Sequence, residues 1–444
     1  MNIELAIVAS SKDPLVHCFD IRTGVLITSF KGNLSNHHSL ALLNSTNIQS
    51  EFLLSSSFFA AQSDKGQLNS WAFSKSASIS KSILPERLHS IAISNSSLYC
   101  AGGGESGRFY LWEIRTGRLI RMFDAHYKKI TCIKFTSDDM HIITSGDDSS
   151  AHVWSTLHLL DSSISLQAIL EPVSTLSGHS LPITDIHVSS GLSTTARIFT
   201  SSMDRTCKVW KLTTGECLFT VVCPRSLSAL IVDSLETKIF AGSVDGKIFH
   251  IDLYKKDVKQ AQAYTIGSVL DTSEKKLLVF AKHTDRINQV SYSMDESLLV
   301  SASNDGTCIV WDPSTRQCLR TFDQHKGPVT SCNIFFQPPE MLDTSLSRTN
   351  LSTIPFSRVP TEFDGNNNTI TFPAQQQNQT IESFMEHLAG TKVSNSLSGQ
   401  PVDDATEMSK LKNQISLLKS HNQELVKLND ELYQSVVKSI RVNK

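Results

Sequence analysis

One unit, written several times over, constrains this chain more than any other feature. Its clearest copy is the stretch 295–321, DESLLVSASNDGTCIVWDPSTRQCLRT. An apolar alternating run at 298–301 leads to an Asn304-Asp305-Gly306 turn, a second run ends at Trp311-Asp312, and a third occupies 318–322. Runs of period two joined by turn signals read as an antiparallel meander, and the stretch 287–292 supplies a fourth strand upstream. A four-stranded sheet of this size cannot bury both of its faces. It has to stack on copies of itself, which predicts a propeller or a solenoid.

Aligning the turn Asp with the aromatic that ends the next strand gives seven copies. They are Asp13 with Phe19-Asp20, Asp64 with Trp71, a GGGESG turn with Trp112, Asp148 with Trp154, Asp204 with Trp210, Asp245 with Ile251-Asp252, and Asp305 with Trp311-Asp312. A histidine precedes several copies at the loop between repeats: His126, His179, His283 and His325. The first copy lacks a strand before Glu4, whereas residues 327–336 (GPVTSCNIFF) form a strand left over after the seventh. The two are expected to complete one another and close a ring, with His325 serving Asp13. Two insertions break the rhythm, 157–173 in the outer part of blade four and 254–280 in blade six.

These motifs resemble the WD40 family, whose repeats carry a His near the start and Trp-Asp near the end. The resemblance covers roughly residues 3–336, strongest in copies five and seven and degraded in one, two and six. It implies an all-β, seven-bladed β-propeller. It also implies hydrogen-bonded sets that fix each blade: His179, Ser201 or Ser202, Asp204 and Trp210, and likewise His283, Asp305 and Trp311, with His126, Asp148 and Trp154 in the fourth copy. A buried indole and imidazole need partners for their N–H groups, so these residues read as structural rather than catalytic or metal-binding.

The remaining composition excludes more than it assigns. A net charge of −2 over 444 residues lacks the basic excess of a protein that holds nucleic acid through phosphates. The nine cysteines include no C-x-x-C pair and sit in equivalent strand places such as Cys207 and Cys308, which suits a reducing compartment and no disulfide or zinc framework. The opening MNIELAIVASSKD carries Glu4 inside its apolar run and no basic lead, reading as a strand rather than a signal peptide. No apolar run reaches membrane-spanning length.

Other motifs invite chemistry and lose it in context. The Gly102–Gly107 stretch lacks the Lys-Ser/Thr of a phosphate loop and is followed by a strand, so it reads as a turn. Arg115, Arg118, Arg121, Lys128 and Lys129 form the densest basic cluster, a surface for RNA phosphate or an acidic partner, or a strand edge guarded by charge. His37-His38 has no carboxylate or Cys at ligand spacing, and no metal or cofactor is expected. No nucleophile elbow or paired catalytic carboxylates appear, which disfavours an enzyme.

After the propeller, assigned to 1–338, the chain changes character. Residues 339–406 are rich in Ser, Thr, Asn and Gln and read as a disordered linker, within which apolar islands at 354–356 and 381–388 are candidates to dock on a partner or on the propeller. From 407 to 444 a helical pattern holds: Leu411, Leu418, Leu425 and Leu432 at one seam position, Ile415, Asn422, Asn429 and Val436 at the other. Asn at a with Leu at d favours a parallel two-stranded coiled coil, so this segment is expected to homodimerise, the rival being a single amphipathic helix packed on another surface.

A complete propeller, a polar spacer and a terminal leucine helix together resemble the WD-repeat subunits of nuclear Rix/PELP-type complexes, which mature the large ribosomal subunit. That resemblance implies a non-catalytic nuclear adaptor that dimerises through its terminal helix. It also implies binding to a helical-repeat scaffold subunit and a third small subunit, and association with pre-60S particles and a midasin-type AAA ATPase during removal of the second internal transcribed spacer. Contact with rRNA or chromatin, including a replication-licensing role, belongs to the same resemblance. The competing classes are a ubiquitin-ligase substrate receptor, for which no F-box is present, a coat propeller, for which the tail is too short, and a phosphoinositide-binding propeller, whose basic motif is absent near residues 208–219.

Overall fold

The computed structural model describes residues 3–43, 57–161, 170–191, 193–253, 268–271, 278–338, 341 and 355–359. Their strands form seven sheets, and the innermost strand of each packs on that of the next until the ring closes. Blade one contains Val329–Phe336, Glu4–Ser10, Leu15–Asp20 and Leu26–Lys31, in that order from the axis outward. Blade two is Ser35–Leu43, Ser57–Gln62, Gln67–Ala72 and Ser80–Ile83, and blade three Leu88–Ile93, Tyr99–Gly104, Arg108–Glu113 and Leu119–Asp124. Blade four is Ile130–Phe135, His141–Gly146, Ser150–Ser155 and Ser174–Ser177; blade five Ile183–Val188, Arg197–Ser202, Thr206–Lys211 and Cys217–Val222. Blade six is Leu227–Val232, Lys238–Ser243, Lys247–Asp252 and Leu278–Ala281; blade seven Ile287–Tyr292, Leu299–Ser303, Cys308–Trp311 and Cys318–Phe322.

Closure uses the chain's two distant parts. Val329–Phe336 pairs antiparallel with Glu4–Ser10, from Glu4 opposite Phe336 to Ser10 opposite Val329. The seventh sheet is thereby joined to the first without an exposed gap between them. The apolar sets lie between blades rather than within them: Cys132, Ile143 and Val153 of blade four meet Ile183, Ile198 and Trp210 of blade five. Each fully buried Leu or Phe in such a layer contributes roughly 2 kcal/mol of transfer free energy.

Sequence reasoning missed what links one blade to the next at the axis. In blades five, six, seven and one the second residue of the inner strand sits at a bulge in the pairing, and its side chain donates to the first carbonyl of the following blade. Thr184 Oγ1 donates to the Leu227 carbonyl at 3.1 Å, Ser228 Oγ to Ile287 at 2.6 Å, and Asn288 Nδ2 to Val329 at 2.6 Å. Thr330 Oγ1 donates to Ser35 at 3.0 Å, carrying the same link across the closure. The signal was a polar residue at the second place of each inner strand.

The expectations for the second insertion and for the basic cluster are corrected. The insertion 254–280 does not simply lengthen blade six, because Leu278–Ala281 is that blade's own outer strand and Ser268–Asp271 pairs in parallel with Cys217–Val222 as a fifth strand of blade five. An unpaired outer edge is a ready template, and the inserted strand takes it. Within the span read as a linker, the apolar island expected to dock at 354–356 is met on the propeller, where Pro355–Val359 lies on blades two and three. The basic cluster is not one surface, as the site geometry below makes clear. The dimerisation residues Leu411 to Val436 lie outside the described residues.

Candidate functional site

Three blades carry the full polar set. In blade five, Trp210 Nε1–H donates to Thr200 Oγ1 at 2.9 Å, Thr200 Oγ1 lies 2.8 Å from His179 Nε2, and His179 Nδ1 lies 2.9 Å from Asp204 Oδ2. Blade four repeats this through Trp154, Thr144, His126 and Asp148 at 3.0, 2.8 and 3.1 Å. Blade seven does so through Trp311, Ser301, His283 and Asp305 at 2.8, 2.8 and 2.9 Å. With the imidazole proton on Nδ1 every group is satisfied, the hydroxyl accepting from the indole and donating to the ring.

The hydroxyl in blade five is therefore Thr200, not Ser201 or Ser202. Strand alternation turns Ser201 to the other face, where it meets Thr184 at 3.0 Å, while Ser202 Oγ donates to the Leu181 carbonyl at 3.0 Å. Register identifies the position: the residue two before the Trp pairs with the hydroxyl, as Lys208 does with Thr200 and Ile309 with Ser301. Burial raises the Asp204 carboxyl, but hydrogen bonds from His179 and Thr206 outweigh it and hold the group well below the usual carboxylate range. Asp148 and Asp305 are held low in the same way.

The other four blades each depart at different members of the set. Blade six has Cys223, Ala241 and Ile251 where the set would stand, all buried and apolar. Blade one has Val8 at the hydroxyl place and Phe19 at the Trp place, leaving His325 Nδ1 3.4 Å from Asp13 Oδ2 and its ring 4.6 Å from that of His17. Blades two and three keep the Trp but put Ala60 and Gly102 at the hydroxyl place. Their indoles turn to backbone carbonyls instead: Trp71 to Lys31 at 3.1 Å and Trp112 to Ser357 at 3.0 Å.

Around the axis lies a polar mouth with a cavity of about 530 Å³, lined by His37, His89, Lys129, Asp147, Arg286 and Asn288 among others. Deeper in, the fold brings to His37-His38 the carboxylate and thiol that its sequence neighbourhood lacks. His38 Nε2 lies 3.3 Å from Asp185 Oδ1, and Cys132 Sγ–H donates to the same oxygen at 3.6 Å. Asp185 also accepts the Leu230 and Ile186 amides at 2.8 Å each, and burial raises its carboxyl. Burial likewise pushes the Cys132 thiol up to about 12. A protonated thiol and a carboxylate already occupied by two amides make this cluster a hydrogen-bonded knot between blades two, four and five.

The basic cluster divides by geometry. Arg121 is 2% exposed and donates Nε–H to the Leu159 carbonyl at 2.9 Å, clamping the inserted helix Thr156–Leu160 against blade three. Lys129 pairs with Asp147 at 3.2 Å beside the axial mouth, with Lys128 exposed next to it. Arg115 and Arg118 flank the turn between the two outer strands of blade three, at the opposite end of an antiparallel meander. On the face bearing the histidine loops, Tyr127 is 98% exposed. No helix among the described residues is long and apolar enough to cross a membrane.

Comparison with known proteins places this geometry among relatives. Residues 117–155, 170–211 and 274–312 match the family model described as WD domain, G-beta repeat. The chain is similar to WD repeat-containing protein 18 of Rattus norvegicus, 32% identical over 345 residues covering 77% of this chain and 75% of the relative. It is 32% identical to Protein ROOT INITIATION DEFECTIVE 3 of Arabidopsis thaliana over 340 residues, 75% of this chain and 72% of the relative. To the pre-rRNA-processing protein crb3/ipi3 of Schizosaccharomyces pombe it is 30% identical over 337 residues, 71% of this chain and 73% of the relative.

Proposed function

Because this chain belongs to the WD-repeat family of WD repeat-containing protein 18 and the pre-rRNA-processing protein crb3/ipi3, we propose that it is a non-catalytic adaptor in pre-rRNA processing and large ribosomal subunit maturation. The observation that carries this reading is a similarity extending over about three quarters of a relative whose name states pre-rRNA processing. A non-catalytic role accords with the geometry, since the His–Asp pairs that resemble catalytic groups are used inside blades four, five and seven. Function then falls to propeller surfaces, such as the loop face with exposed Tyr127, and to residues 407–444.

On this reading the partners are a helical-repeat scaffold subunit, a third small subunit, the pre-60S particle and a midasin-type AAA ATPase, and the compartment is the nucleus. A second copy joins through Leu411, Ile415, Leu418, Asn422, Leu425, Asn429, Leu432 and Val436. Affinity purification of the tagged full chain, with mass spectrometry and blotting for the second internal transcribed spacer, tests it. Recovery of pre-60S factors and precursor RNA is expected; a cullin adaptor or coat subunits in their place overturns the reading. Leu418→Asp with Leu425→Asp should convert a dimer to a monomer by light scattering while the melting curve of the propeller holds.

A further inference from the structure

We propose that the groove between blades two and three is a sequence-selective peptide site, that residues 355–359 are its resident ligand, and that this ligand can leave and rebind from solution. The first support is the state of Trp112. Where blades four, five and seven carry Thr or Ser, blade three carries Gly102, and a Cβ there would lie 2.8 Å from Trp112 Cζ3. The indole thus fills the space of its missing acceptor, and its N–H requires a carbonyl from elsewhere. In blade two the preceding blade supplies one, Lys31. Blade three takes it from Ser357, across 245 residues of chain.

The second support is the kind of contact made. Ser357 N–H donates to the Gly117 carbonyl at 2.7 Å and its Oγ accepts the Leu119 N–H at 2.8 Å. Phe356 N–H donates to Ser82 Oγ and Arg358 Nε–H to the Ile83 carbonyl, each at 2.9 Å. One main-chain bond and three involving side chains hold the segment against strand ends, and one side chain anchors it. That side chain is Phe356, 5% exposed and nearly parallel to Phe59 and Trp112 at ring distances of 5.7 and 5.6 Å. Pro355, Arg358 and Val359 stay exposed.

One buried ring and a few hydrogen bonds correspond to a weak free peptide, in the range of roughly 100 μM to 1 μM. Tethering at an effective concentration of about millimolar keeps such a ligand in place without making it irreversible. The site's chemistry asks for an aromatic residue, then a small hydroxyl residue, then Arg. This inference does not rest on the ribosomal role.

The test uses the full chain carrying Phe356→Asp and a fluorescein-labelled peptide of residues 351–362, read by anisotropy. Saturable binding to the variant is expected, at least ten-fold weaker binding to the unmodified chain, whose own segment competes, and a further ten-fold loss when the peptide carries Phe356→Ala. No binding to the variant, or equal binding to both chains, overturns the proposal. If the variant does not fold, hydrogen exchange by mass spectrometry on the unmodified chain decides. Excess unlabelled peptide should deprotect the segment around 355–359 while Leu119–Asp124 stays protected; a segment exchanging at unfolded-chain rates throughout, or one unaffected by the peptide, contradicts it.

Discussion

Blades four, five and seven solve the burial of a tryptophan with an internal relay of hydroxyl, imidazole and carboxylate; blades one, two, three and six bury the same layer without one. In blade six Cys223, Ala241 and Ile251 stand at the imidazole, hydroxyl and indole places, and Asp245, left outside a relay, pairs with Arg225 at 2.9 Å. In blades two and three Ala60 and Gly102 take the hydroxyl place, the loop His is missing as well, and a backbone carbonyl answers the indole. The difference teaches that a blade losing the hydroxyl also changes the indole or reroutes it to a backbone carbonyl, because an orphaned buried group costs about 1–3 kcal/mol. It is a packing device of the fold, and its presence marks no reaction centre.

Breaking the ring comes before breaking any one blade. Removal of Val329–Phe336 strips Glu4–Ser10 of its partner and opens the closure, and a loss of the cooperative melting transition is expected in calorimetry. Thr200→Val orphans the Trp210 N–H and the His179 ring together, with an expected loss of about 2–4 kcal/mol in urea denaturation. Gly102→Thr puts the family's hydroxyl into blade three, yet the new Cβ collides with Trp112 and Leu88. It should cost about 1–3 kcal/mol rather than stabilise.

Acid acts on two kinds of group. A carboxyl held low in the fold, like Asp204, gives stability that is complete above its unfolded value of about 3.9 and disappears as pH falls below it. His17 and His325 in blade one run otherwise: burial lowers both, so the unfolded chain binds more protons and stability falls as pH drops through about 6.5. His17→Gln should remove its own share of that slope between about pH 7 and 5, and Asp204→Asn should leave the slope alone. The rest of the slope stays, set also by His37, His38, His89, His141, His152 and His187, because burial lowers each of them. The smallest effect is at the turn. Arg205 sits at φ +67° where blade seven has Gly306 at +85°, and Arg205→Gly should stabilise by less than about 1 kcal/mol.

Much of this was legible from spacing alone. The turn Asp, the strand-ending Trp and the loop His recur at intervals that a repeated meander imposes, and the leftover strand 327–336 told where the ring closes. The strand hydroxyl was misplaced because Thr200, Ser201 and Ser202 are consecutive and only pairing register says which of them shares a face with Trp210. The inserted strand Ser268–Asp271 escaped notice because its partner lies in the preceding blade. The Pro355–Val359 segment was visible as an apolar island, but its groove depends on Gly102 lacking a side chain, which no local pattern reveals. Asp185 and Cys132 reach His38 from blades far apart in sequence, beyond any spacing rule.

The most direct test of the division between structural relay and functional surface is Thr200→Val in the full chain, measured twice. Urea denaturation gives its stability, and complementation of a depletion strain at low temperature gives its rRNA processing. The account predicts a loss of about 2–4 kcal/mol with processing restored wherever the variant stays folded. Unchanged stability with processing abolished would contradict it.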